Sequence, residues 1–296
     1  MLMTMTKTVW VFPGQGSQAV GMGSDLAEAA KDMFAEADEV LGWSVLERCQ
    51  SSETQLANTL YTQPCLYVVE CALADLLQAK GAQPAMVAGH SLGEYSALYT
   101  AGVFDFIAGL RLVKRRAELM SEAADGAMAA LMGFDRDELD AQLDATAGVV
   151  LANDNNPGQV VVSGTPDAVE TVMTSIKVKR AVKLNVSGAF HSPLMAPAAH
   201  EFDQILADLP FKTATVPVLS NVEPAPSTEG DVLKRRLMQQ MTGAVRWREI
   251  SLSLPEQAVD TVVEVGPGKV LAGLIKRTCR SLTLKNVGTL EQVEAL

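Results

Sequence analysis

The sequence predicts an α/β fold in which a small ferredoxin-like unit interrupts a larger domain of alternating strands and helices. Three observations carry this expectation. Short apolar strands alternate with helical sequence from Val9 to about Asp125 and again after residue 190. Residues 86–102 read as strand, tight turn and helix, and between 126 and 189 the element order changes to β-α-β-β-α-β. The expected division is a discontinuous large domain, 1–125 with 190–296, and an inserted small domain, 126–189.

Val9-Trp10-Val11-Phe12 is a short strand followed by a glycine-rich loop, and helical sequence runs from about Asp25 to Leu41. A second helix is expected to begin after Gln63-Pro64, because proline suits a first helical turn, and to reach about Ala79. Met86-Val87-Ala88-Gly89 is a buried strand that stops sharply, after which Tyr95 to Gly102 is helical. In the small unit, 127–134 is a strand and 135–145 a polar helix opening at Asp135. Strands 149–153 and 159–164 flank Asn155-Asn156-Pro157-Gly158, then come a helix over 166–177 and a strand over 180–187. The alternation resumes with a helix near 194–208, strand 216–220, a helix near 230–241, strand 260–265 and a helix from Gly268 to about Thr278.

With 296 residues and 48% hydrophobic content, the chain can bury a full core. Met1 to Lys7 gives no apolar stretch long enough for a signal peptide, and nothing approaches about 18 uninterrupted apolar residues. Four cysteines without a CxxC pair and only three histidines argue against a zinc site and for reduced, structural thiols in a cytoplasmic protein. The net charge of −11 repels nucleic acid and anionic membranes.

Gly89-His90-Ser91-Leu92-Gly93 matches G-x-S-x-G, a turn that exposes a serine between a strand and a helix. The same turn aims the Leu92 amide and a helix N-terminus where an oxyanion would form. A serine needs a base. Of the three histidines, His90 adjoins the serine and is expected to line the site, whereas His200 in Ala198-Ala199-His200-Glu201 reads as a helix-surface residue. His191 sits in the small-residue loop Ser187-Gly188-Ala189-Phe190-His191-Ser192 and is the base candidate. Two look-alikes are set aside. Gly14-Gln15-Gly16-Ser17-Gln18-Ala19 fits a dinucleotide fingerprint without the acidic strand end it needs, and Gly266-Pro267-Gly268-Lys269 lacks the full phosphate-loop spacing.

Gly14-Gln15-Gly16-Ser17-Gln18, Gly89-His90-Ser91-Leu92-Gly93-Glu94, Gly188-Ala189-Phe190-His191-Ser192 and Glu264-Val265-Gly266-Pro267-Gly268, in this order, resemble the malonyl-CoA:acyl carrier protein transacylases and the acyltransferase domains of fatty-acid and polyketide synthases. The resemblance runs from Val9 to about Asn286. It implies an α/β-hydrolase-like large domain and transfer of a malonyl group from malonyl-CoA to a carrier-protein phosphopantetheine thiol, in ping-pong fashion. It makes Ser91 the acylated nucleophile, His191 its base, and the Gln15 and Leu92 amides the oxyanion hole. The main-chain carbonyl of Gln240 would orient His191, with no acidic third member, so the Gln240 side chain is expected to matter little. Arg116 would hold the malonyl carboxylate, and Phe190 would disfavour α-branched acyl groups. Also implied are an acyl carrier protein as partner, no cofactor beyond the substrate malonyl-CoA, no metal and a monomer. Where many relatives have Asn-Pro before Val-Arg-Trp, this chain has Gly243-Ala244, which leaves the loop after Gln240 less rigid.

Arg116 is testable against periodicity. At about 100° per residue, positions 106, 109, 110, 112, 113, 117, 119 and 120 share one apolar arc, and Arg116 falls inside it while Arg111, Lys114, Arg115 and Glu118 fall opposite. A buried arginine needs an anion, either the substrate carboxylate or a structural one such as Glu94. Lys177, Lys179, Arg180 and Lys183 form a basic run that either flanks the cleft mouth for an acidic carrier or blunts a strand edge. Two other functions stay open at this level: an esterase or thioesterase using water as acceptor, and a non-catalytic carrier-binding subunit.

Overall fold

The structure is a computed structural model that describes residues 7–123, 125–186 and 188–296. Met1–Thr6 of the polar start, and Ser187, where the 180–187 strand was expected to end, lie outside the described residues. Nine strands occur among them: β1 (Thr8–Phe12), β2 (Met86–Gly89), β3 (Ala127–Met132), β4 (Val149–Asn156), β5 (Gln159–Gly164), β6 (Arg180–Lys183), β7 (Val218–Leu219), β8 (Thr261–Val265) and β9 (Thr283–Val287). They form two sheets, in the orders β7-β2-β1-β8-β9 and β4-β5-β3-β6.

The first sheet is parallel throughout and is buried on both faces, as parallel sheets are. Trp10, Phe12 and Val87 pack with the helices Thr59–Ala79 and Phe106–Glu122, while Val9, Val11 and Ala88 pack with Trp247–Glu256 and Val270–Thr278 on the other side. Period-two alternation thus divides each short strand between two cores. The carboxyl ends of β1, β2 and β7 lie side by side, where open α/β sheets bind their ligands.

The second sheet is antiparallel. Its order is the ferredoxin-like one, so the chain has the expected α/β architecture with a ferredoxin-like insert. Ala129, Leu131, Val160 and Val162 face the helices Arg136–Ala145 and Pro166–Ser175, whereas Met128, Ala130 and Val161 face the large sheet's core. Asp135 caps the first of these helices by accepting from Glu138 N.

Several boundaries differ from expectation, each for a physical reason. The helix expected to begin after Gln63-Pro64 begins at Thr59, where Asn58 accepts from Leu60 N, and Pro64 lies inside it. Every residue from Thr62 to Ala74 is buried, so tertiary packing outweighs the missing hydrogen bond. The stretch 25–41 divides into a single 3₁₀ turn, Ser24–Leu26, and the helix Lys31–Leu41. β9 and the helix Trp247–Glu256 were not expected; β9 is an edge strand whose half-exposed, polar TLKNV sequence hides its pairing. The basic run resolves by register. Arg180 pairs with Met132 and Val182 with Ala130, so these share the face toward the large domain, while Lys183 turns to Glu170 of the Pro166–Ser175 helix at 2.6 Å.

Candidate active site

Ser91 lies two residues past the end of β2 and adopts φ 52°, in the left-handed region that non-glycine residues avoid. The flanking glycines make this possible. A Cβ on Gly89 would overlap the Gly93 carbonyl, and one on Gly93 would overlap the carbonyl of Phe12 at the end of β1. Asn221, just past β7, completes the turn: its Oδ1 accepts from Ser91 N at 2.7 Å and its Nδ2 donates to Gly89 O at 2.5 Å. The serine is thereby fixed at the top of three adjacent strands.

His191, also at positive φ (57°), reaches the serine from one hundred residues further along the chain, with Nε2 2.7 Å from Ser91 Oγ. Its Nδ1 lies 2.9 Å from the Gln240 carbonyl and 3.2 Å from the Gly243 carbonyl. A carbonyl only accepts, so Nδ1 carries the proton and Nε2 is left to accept from the serine. No carboxylate touches the ring among the described residues. Burial, then the neighbouring Arg116 cation, push the imidazole down to about 3, so it is neutral at physiological pH. The Gly243-Ala244 loop is not loose: Val245 N donates to Ala152 O and Asp154 N to Val245 O, which pins it to β4.

Arg116 is buried on the Phe106–Glu122 helix, as its periodicity required. Its guanidinium donates to Gln63 Oε1 (2.5 Å), Ser91 Oγ (3.0 Å) and Gln240 Oε1 (3.1 Å), and lies 5.4 Å from the Tyr95 ring centre. No carboxylate pairs with it among the described residues. Glu94, the alternative anion, is separated from it by Gln240, whose Nε2 donates to Glu94 Oε2 at 2.8 Å and to Ser91 O at 2.9 Å. Burial raises the Glu94 carboxyl above its usual range.

That network corrects the expectation for the Gln240 side chain, which holds Arg116, Glu94 and the serine backbone together. Gln240→Ala is expected to lower kcat/KM by about 10- to 100-fold, because it strips one charge-assisted acceptor from a buried cation. Steady-state turnover beside the wild type checks this, and wild-type activity would contradict it. Gln63, Asn221 and this carboxamide escaped sequence reading because polar amides carry no local motif.

A cavity of about 250 Å³ opens over Ser91, His191 and Arg116. Gln15, Leu92, His90 and Phe190 line it, together with Met128, Ala130 and Val161 of the small sheet. Neither the Gln15 nor the Leu92 amide donates to a protein acceptor among the described residues, which leaves both available to an oxyanion. His90 Nε2 lies 2.9 Å from Asn155 Oδ1, and its ring meets Trp247 edge-on at 5.5 Å. His200 is exposed on its helix and takes no part. No group of metal-ligating side chains occurs among the described residues, and no described helix is long and apolar enough to cross a membrane.

The chain matches the acyl transferase domain family over residues 9–294. It is 59% identical to the malonyl CoA-acyl carrier protein transacylase of Synechocystis sp., across 98% of this chain and 100% of that protein. Identity to the Bacillus subtilis protein of the same name is 41%, over 98% and 96%. The crystal structure of the Synechocystis malonyl-CoA:ACP transacylase superposes with a TM-score of 0.97 over 98% of this chain and 100% of that one. A malonyl-transacylase in complex with its type II polyketide acyl-carrier protein does so with a TM-score of 0.93 at 38% identity, over 98% of both chains.

Proposed function

The chain belongs to the acyl transferase domain family, and on that premise we propose that Ser91 carries a malonyl group from malonyl-CoA to the phosphopantetheine thiol of an acyl carrier protein. The protein is a malonyl-CoA:acyl carrier protein transacylase, an enzyme of fatty-acid or polyketide synthesis. The observation that carries the residue roles is the pairing of a 2.7 Å Ser91–His191 contact with a buried, carboxylate-free Arg116 on the same serine oxygen.

In this reading His191 Nε2 takes the Ser91 proton as Oγ attacks the thioester carbonyl. The Gln15 and Leu92 amides hold the oxyanion, and coenzyme A leaves as a thiol after the proton returns from His191. The acceptor thiol, deprotonated by His191, then reverses the sequence and restores Ser91. The neutral main-chain partner of Nδ1 suffices because a thioester expels a better leaving group than an amide does. Arg116 receives the malonyl carboxylate as a bidentate pair and so selects the acyl group. Phe190, buried against the cavity, leaves little room for an α-branch. No cofactor is needed beyond the substrate, and residues 126–189 serve as an inserted domain forming one wall of the cleft. We read the enzyme as a cytoplasmic monomer. The test is intact-mass measurement after mixing with malonyl-CoA, which should show one added malonyl group.

The depressed histidine sets a pH signature. Protonation removes the base, so kcat/KM, which reports the free enzyme, is expected to hold level from neutral pH to well below the ordinary histidine value of about 6.5. Once the malonyl carboxylate neutralises Arg116, one cause of the depression is lost, and the acid limb of kcat should lie at higher pH than that of kcat/KM. Acylation rates measured by quenched mass analysis across pH check both. A kcat/KM limb near 6.5 would contradict the assignment.

A further inference from the structure

We propose that Asp154, on β4 of the small sheet, is a positioning residue of the transfer reaction: gripped by Arg136 and Arg248, it holds the backbone of 243–246 in place, and with it the Gly243 carbonyl on His191 Nδ1; this rests on the reading of His191 as the base. Asn153 and Asn155 line the cavity over Ser91, and Asp154 between them turns away from it, as the pleat of a strand requires. There the carboxylate is buried, with the residue 4% exposed, so it needs cationic partners. Two arginines meet it. Arg248, in the first turn of the helix Trp247–Glu256, donates from Nε to both carboxylate oxygens (3.1 and 3.0 Å) and has Nη2 3.0 Å from Oδ2. Arg136 Nη1 donates to Oδ2 at 3.1 Å from the helix Arg136–Ala145, which packs on the small sheet. One arginine thus stands on a helix of the small sheet and the other on a helix of the large one, and the carboxylate joins them.

The backbone beside this clamp leads to the base. Asp154 N donates to Val245 O at 2.9 Å, Val245 N to Ala152 O at 2.8 Å and Arg246 N to Asn221 O at 3.0 Å. Segment 243–246 therefore links β4 to the residue that holds Ser91 N and, through the Gly243 carbonyl at 3.2 Å, to the His191 ring. Gly243 stands three residues beyond the helix Gly230–Gln240 and cannot stiffen itself. A Cβ there would come 2.7 Å from Val222 Cγ1 and 2.8 Å from the Gln239 carbonyl, so no side chain fits, and glycine has the freest backbone of all residues. Restraint has to come from outside, and the charge-assisted fork of Arg248 on Asp154 supplies it with a fixed geometry. Two carbonyls then bracket the Nδ1 proton. Losing one lets the ring tilt away from Ser91 Oγ.

The experiment measures single-turnover acylation by malonyl-CoA together with the NMR signal of the His191 Nδ1 proton in protein labelled with ¹⁵N-histidine, which has only three histidines to assign. Arg248 is partly exposed, so Arg248→Met should fold. This variant is expected to lower the maximal acylation rate about 3- to 10-fold, the scale of one lost hydrogen bond, with the half-saturating malonyl-CoA concentration unchanged. The Nδ1 proton should shift and exchange faster with solvent, and Arg248→Lys, which keeps the charge, should recover most of the rate. Asp154→Asn should show the same pattern, and combined with Arg248→Met it should lose less than the product of the two single losses. A lower Tm with the acylation rate and the Nδ1 signal unchanged would make the clamp a support of the fold alone and overturn the positioning role. So would a raised half-saturating concentration at an unchanged maximal rate, which would put its effect on the cavity wall. Failure of the base reading looks different: His191→Ala would then acylate as fast as the wild type.

Discussion

Ser91→Ala is expected to abolish the mass increase on mixing with malonyl-CoA and to lower turnover by roughly 10⁴- to 10⁶-fold, the scale of removing a serine nucleophile. The geometry makes this the largest effect available. Ser91 Oγ is the one atom that both His191 Nε2 and Arg116 Nη2 touch, at 2.7 and 3.0 Å, and the left-handed backbone under it is maintained by Gly89, Gly93 and Asn221. Alanine tolerates the same backbone about as well as serine, so the variant should fold. The four cysteines, buried as free thiols, offer no alternative acyl acceptor. Labelling that survived in Ser91→Ala would therefore refute the nucleophile outright.

Arg116→Ala is expected to cost malonyl-CoA about 2–5 kcal/mol of transition-state stabilisation, the range for truncating one member of a buried charge pair. Acetyl-CoA, which has no carboxylate, should lose far less, so the malonyl-to-acetyl ratio of kcat/KM should collapse. Some common loss is expected for both substrates, because Arg116 also donates to Ser91 Oγ. Removing the cation also relieves one cause of the His191 depression, which moves the acid limb of kcat/KM upward. Paired kinetics on the two thioesters decide the matter. Equal losses for both would assign Arg116 to holding the Gln63–Gln240 network instead of the substrate.

Much of the site was legible because its chemistry is local. A serine forced onto a strand-to-helix turn requires small residues on either side, so Gly89-His90-Ser91-Leu92-Gly93 announces itself within five positions. Arg116 was reached through the family resemblance and supported by period: one charged residue in an apolar arc can only face a core or a cavity. The main-chain partner of His191 was legible only through family resemblance, since a carbonyl leaves no trace in side-chain identity. Gln240 shows the limit: its carbonyl was expected at Nδ1 and is there, but its side chain was expected to be idle and instead joins Arg116 to Glu94.

By itself the sequence determined the strand-and-helix alternation, the ferredoxin-like insert, the serine on its strand-to-helix turn, the histidine proposed as its base and the charged residue on the buried helix face. Apart from the histidine, picked from three by its small-residue loop, each follows from periodicities of two or 3.6 residues or from a turn that tolerates few residues, and such constraints act over a few neighbouring positions. Only the tertiary structure decided which amides meet across the site, which face of β6 turns to the cleft, and where the Thr59–Ala79 helix begins. The amide contacts depend on atoms contributed by segments more than fifty residues apart: Gln63 to Arg116, Gln240 to Ser91, Asn221 to Gly89. A carboxamide satisfies itself equally well in a turn, at a surface or in a network, so its partner is fixed by packing and not by its neighbours in the chain.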